Sequence, residues 1–151
     1  MKNILCLFLG CFLLLTCKNN DDDNNNQNNQ FLPDIAFDTG TLINLNLAQY
    51  SDLQFANNYY ILNSNYGING VVLFYAGGNN YNAFELSDPN HALRSCSTLT
   101  VEGVIASCDC DDHDKRYDIL TGQPQEGTTG SYGLKRYFVE KNGDIIRVWN
   151  N

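Results

Sequence analysis

The chain of 151 residues is short of basic charge: 9 Lys and Arg stand against 17 Asp and Glu, for a formal net charge of -8 and a pI near 4.4. Such a surface excludes nucleic acid and anionic lipid headgroups as partners, since both need a basic face. A long apolar run is missing as well. The longest stretch, Ile4 to Leu15, is broken at Gly10 and is short for a permanent membrane span. No Gly-rich phosphate loop occurs, and no Ser, His and Asp fall in an order that supports a hydrolytic triad. A calcium loop of the EF-hand kind is absent too. Counted from Asp109, it needs Gly and Glu where Asp114 and Leu120 stand.

What is present starts with a targeting pattern. Lys2 ahead of the apolar run reads as a secretory signal. The run ends in "LLLTC", residues 13–17, which resembles the lipobox of bacterial lipoproteins, where the cysteine is lipidated and becomes the mature N-terminus. That resemblance implies a signal peptide over residues 1–16, a lipid on Cys17, the membrane as a partner and a lipid-anchored place in the bacterial cell envelope. The following "KNNDDDNNNQNNQ", residues 18–30, holds no apolar side chain to offset the entropy of ordering. Residues 17–30 therefore form a solvated tether, and residues 31–151 one folded domain.

Within that domain, short apolar or alternating segments rich in Tyr, Val and Ile are separated by Gly, Asn, Asp and Ser, which is an all-β pattern. The segments fall at 41–47, 59–63, 70–76, 81–86, 97–101, 104–108, 116–120, 135–141 and 144–149. Glu102-Gly103 and Asn142-Gly143 read as tight hairpin connections, and "GGNN" at 77–80 as a slightly longer one. Neighbouring strands are expected to be antiparallel, in a small β-sandwich or barrel. Only "LAQYSDLQF", residues 47–55, suggests a helical turn.

Of six cysteines, Cys6, Cys11 and Cys17 fall in the leader, which leaves Cys96, Cys108 and Cys110 in the domain. An odd number outside the cytoplasm implies one disulfide and one leftover thiol. With Val101 facing Val104 across the Glu102-Gly103 turn, Cys96 comes level with the 108–110 segment. A Cys96–Cys108 bridge is the expected pairing, with Cys110 as the alternative partner.

The order of these elements, with Cys110-Asp111-Asp112-His113, "RYDILTG" at 116–122 and a terminal "GLKRYFVEKNGDIIRV" hairpin, resembles the Rieske-type iron–sulfur domains. The resemblance spans about residues 59–150. Those domains hold a 2Fe-2S cluster between two loops, one supplying a C-x-H box and the other a C-x-x-H box. It implies a Rieske-like β-domain with a two-loop site at one end. Cys110 and His113 match the second box, while a competing register puts Cys108 at the cysteine position and Asp111 at the histidine position, at the expense of a gap. In the first box the positions hold Asp88 and Asn90, with His91 one place late. Half the ligand set is thus missing, because a carboxylate and an amide are poor substitutes for thiolate and imidazole.

The expected function is a non-enzymatic binding or structural module without a cofactor. The alternative is an electron-transfer protein whose 2Fe-2S cluster is completed by unorthodox donors. Zinc held by Cys110, His113, His91 and Cys96, or calcium held by Asp109, Asp111, Asp112 and Asp114, ranks below these. No protein partner is identified by the sequence.

Overall fold

The computed structural model describes residues 29–110 and 114–151. The leader with Cys17, and Asp111, Asp112 and His113 in the second loop, lie outside the described residues. No helix among the described residues is long and apolar enough to cross a membrane.

The described chain is all-β and antiparallel. Its strands are β1 (Phe37–Asp38), β2 (Ile43–Asn44), β3 (Asn58–Leu62), β4 (Val71–Gly77), β5 (Asn80–Glu85), β6 (Leu99–Glu102), β7 (Ile105–Cys108), β8 (Lys115–Asp118), β9 (Arg136–Asn142) and β10 (Ile145–Asn150). A 3-10 helix over Ala48–Gln54 takes the place expected for the helical turn, burying Tyr50 and Leu53. Seven strands form one sheet in the order β1-β10-β9-β5-β4-β3, with β2 beside β10, while β6-β7-β8 form a second sheet.

Strand β4 explains how the two sheets come together. Val71, Val72, Leu73 and Phe74 are all fully buried. Successive side chains of a strand point to opposite faces, so an unbroken apolar run requires cover on both. Val71 and Leu73 enter a core with Ile43, Leu53, Ile146 and Val148. Val72 and Phe74 enter a second core with Phe84, Leu99, Ala106, Tyr117 and Ile119, which come largely from the three-stranded sheet and its flanks. Each such aliphatic side chain removed from water contributes about 1.5–3 kcal/mol.

Turn chemistry sets the registers. At the β4–β5 hairpin, Gly77 pairs with Asn80, and Gly78 and Asn79 between them have φ of 59° and 66°. Two consecutive positive φ angles suit the right-handed twist of a hairpin, and Gly and Asn adopt them at little cost. In the β6–β7 hairpin Glu102 pairs with Ile105, so the turn residues are Gly103 and Val104, one place later than expected from sequence. Gly103, with φ of 59°, sits at the first turn position.

That shift corrects the expected disulfide. Cys108 pairs with Leu99 in the ladder, which carries it past Cys96. The bridge forms between Cys96 and Cys110, with Cα atoms 5.1 Å apart. Cys108 is the free, buried thiol, so the Cys96–Cys108 pairing does not occur and the alternative partner takes its place.

Candidate functional site

The first loop leaves β5 at Glu85 and reaches the 3-10 turn Ser95–Ser97. It is tied to β6 by Leu99 N–H donating to the Leu86 carbonyl at 2.6 Å and Asp88 N–H donating to the Ser97 carbonyl at 2.8 Å. These bonds hold Asp88 against the three-stranded sheet, where its side chain is fully buried. Beside it stand Lys115 and Tyr117 from β8, 2% and 0% exposed. Lys115 and Tyr117 share the face of Ile119, as their two-residue spacing requires, so Lys115 points inward.

The result is a buried polar network. Tyr117 donates its hydroxyl to Asp88 Oδ1 at 2.7 Å, and Asn90 N–H donates to the same oxygen at 2.9 Å. Lys115 Nζ lies 3.5 Å from Asp88 Oδ2 and donates to the Asn90 carbonyl at 2.7 Å. The Asn90 amide donates to the Tyr117 hydroxyl at 3.0 Å and to the Tyr132 carbonyl at 2.7 Å, and accepts from Tyr132 N–H at 3.0 Å. Gly130 passes so close that a Cβ there would collide with the Asn90 side chain. Burial above all pushes the Tyr117 hydroxyl well above the ordinary tyrosine range, and the Asp88 carboxylate acts in the same direction.

The cysteines lie at the edge of this network. Burial, with Asp88 adding to it, raises the Cys108 thiol from about 9.0 to about 11. A thiolate is the reactive and metal-binding form, so Cys108 is held as a neutral core thiol. It points its Sγ toward the Cys96 carbonyl at 3.7 Å. Cys110 is buried and spends its sulfur on Cys96.

The structure thus brings together Asp88, Asn90, Cys96, Cys108 and Cys110 at one end of the domain. His91 is buried in the first loop, its Nδ1 2.6 Å from the Ala92 carbonyl. His113 falls outside the described residues. A ligand set of two thiolates and two imidazoles does not fit these residues. Cys96 and Cys110 are joined to each other, and Asp88 and Asn90 are engaged with Lys115, Tyr117 and Tyr132. Zinc on Cys96 and Cys110 meets the same obstacle, since a bridged sulfur is no thiolate. Among the described residues no three His, Cys, Asp or Glu side chains gather to hold a metal ion. Asp114, the first described residue after Cys110, is exposed and lies 3.5 Å from Arg116.

Sequence reasoning missed Lys115 and Tyr117. The signal was available: both share the inward face set by Ile119. A second buried carboxylate, Glu85, was also passed over. It accepts from Ile68 N–H, Asn69 N–H, Ser87 N–H, the Ser87 hydroxyl and the Tyr137 hydroxyl at 2.6–3.0 Å. Gly67 leaves room for this carboxylate, because a Cβ there would strike it.

No family model matches the chain, and no curated protein matches it. Among solved structures, one chain that is similar belongs to the complex of reduced oxygenase and oxidized ferredoxin in carbazole 1,9a-dioxygenase. It shares 23% sequence identity over 66% of this chain and 85% of that chain, with a TM-score of 0.43.

Proposed function

We propose that this chain is a lipid-anchored module of the bacterial cell envelope, with a Rieske-like β-domain that carries no cluster and serves as a non-enzymatic binding or structural unit. The observation that supports the reading is the Asp88–Lys115–Tyr117–Asn90 network beside the Cys96–Cys110 bridge. Where two loops of a Rieske domain present ligands, these loops hold each other. The Cys96–Cys110 bridge ties the first loop to the start of the second, and the bonds around Asp88 tie it to β8, which stabilises the first loop without an ion. Anchoring rests on Cys17 and on the apolar-free tether behind it.

Expression of the full chain with iron and sulfide supplied, followed by aerobic purification, tests the central claim. The expected product is colourless, with neither iron nor acid-labile sulfide above trace level. Two irons and two sulfides per chain, with visible absorption, would establish an electron-transfer protein instead. Mass analysis of the mature N-terminus tests the anchor in the same sample: a diacylglyceryl group on Cys17 is expected, and an unmodified or differently cleaved end removes that part of the reading.

A further inference from the structure

Away from the cysteines, a cavity of about 340 Å³ opens between the start of the domain and the segment joining β8 to β9. That is within the ~300–1,000 Å³ range of small-molecule sites. Its charged lining is unusual for so acidic a chain: Asp34, Lys135 and Arg136. Asp34 and Lys135 pair with each other at 2.5 Å, which leaves Arg136 as the surplus charge. Among the described residues no carboxylate lies within ion-pair distance of Arg136.

Arg136 is nonetheless held in place. Its Nη1 donates to Asn82 Oδ1 at 2.8 Å and its Nη2 to the Thr121 carbonyl at 3.3 Å, while the Phe84 ring lies 4.7 Å beneath the guanidinium carbon. Two donors are used out of five, so three N–H groups remain on a guanidinium whose plane is fixed. Ordering a flexible arginine is one part of the entropy lost on binding, and here much of that part is already lost on folding. The same cavity is lined by Gln123, Ser131 and Tyr132, whose side chains make no hydrogen bond among the described residues.

We propose that this cavity binds a small hydroxylated carboxylate, its carboxyl group seated on the Arg136 fork and its hydroxyls on Gln123, Ser131 and Tyr132. The site shares no ligand with the cluster question, so it stands whichever way the iron analysis falls. It gives the module a ligand class, of which sugar acids are the natural representatives.

The test is amide-shift titration of the isotope-labelled full chain with sodium glucuronate, with glucose and inorganic phosphate as comparisons. Glucuronate is expected to move the amides of Gly122, Gln123 and Leu134 saturably, with a Kd on the order of 1 mM, about 4 kcal/mol. Glucose lacks the carboxylate and phosphate lacks the spread of carbon-borne hydroxyls, so each is expected to bind at least about tenfold more weakly. Arg136→Gln should weaken glucuronate at least about tenfold, and Arg136→Lys, which keeps the charge and loses the fork, by several-fold. Arg147→Gln should change nothing, because Arg147 is engaged with Asp38 on another part of the sheet. Glucuronate that gives no saturable shift, binds Arg136→Gln unchanged, or is matched by glucose or phosphate overturns the proposal.

Discussion

Glu85 and Asp88 are three residues apart, both carboxylates and both fully buried, yet the fold accommodates them in opposite ways. Glu85 stays within the seven-stranded sheet and its loops, where backbone N–H groups and hydroxyls satisfy it and no cation among the described residues pairs with it. Asp88 faces the other sheet and takes a cation from it, Lys115 of β8. The difference is one of register and reach. Loop 67–69 folds back over Glu85 with its N–H groups converging, which only a glycine at 67 permits. Asp88 has one backbone donor of that kind, from Asn90, which shares Oδ1 with the Tyr117 hydroxyl, while Oδ2 accepts no hydrogen bond among the described residues and faces the lysine at 3.5 Å. The first carboxylate stiffens one sheet, and the second fastens two sheets together.

The sharpest way to break this contrast is to remove the cation. Lys115→Met leaves Asp88 buried with its charge uncompensated, and is expected to lower unfolding free energy by about 3–5 kcal/mol in denaturant titrations. Adding Asp88→Asn to it should recover more than half of that loss, since the uncompensated charge is gone. Glu85→Gln, which turns one accepting oxygen into a donor among donors, is expected to lose less, about 1–3 kcal/mol. Equal losses for the two single variants would erase the distinction between a cation-dependent and a dipole-dependent carboxylate.

The disulfide lies between those two in size. Cys96 and Cys110 close a loop of 14 residues that contains the whole β6–β7 hairpin. Replacing both by Ala should lower stability by about 3 kcal/mol. The loss should be seen in the three-stranded sheet first, as faster amide exchange in β6–β8 than in β9–β10. Uniform acceleration across both sheets would mean that the bridge serves the whole domain rather than its smaller half.

The smallest effect is a pH dependence. Cys108 has its folded value raised to about 11, so the fold favours the neutral thiol. That contribution is complete below the unfolded value near 9.0 and is lost as pH rises through about 11. The unfolding midpoint of the native chain is expected to fall more steeply between pH 9 and pH 11 than that of Cys108→Ala. The comparison with the variant is needed because Tyr117 and Tyr137, both raised chiefly by burial, add a decline of their own at higher pH. Parallel curves would show that the thiol is not coupled to folding.

Much of this architecture was legible along the chain. Apolar alternation and Gly or Asn punctuation marked the longer strands within a residue or two, from Asn58–Leu62 through to Ile145–Asn150. The exception is the segment at 41–47, where only Ile43–Asn44 pairs as a strand. The cysteine pairing was not legible, because it hung on whether Gly103 begins or ends its turn. One residue of difference there moved Cys108 beside Leu99 and brought Cys110 to Cys96.

By itself, then, the sequence determined an antiparallel all-β domain, since the two-residue period and the turn residues act locally and need no distant partner. It also determined an odd cysteine count and a first loop short of soft donors. Only the tertiary structure decided what the two loops do with their polar groups. A lysine and an aspartate 27 residues apart acquire meaning when a fold excludes water from both, and Lys115 and Asp88 were brought together by packing of β8 against the loop after β5. Burial makes that choice, because it is the loss of solvent that obliges each charge to find the other.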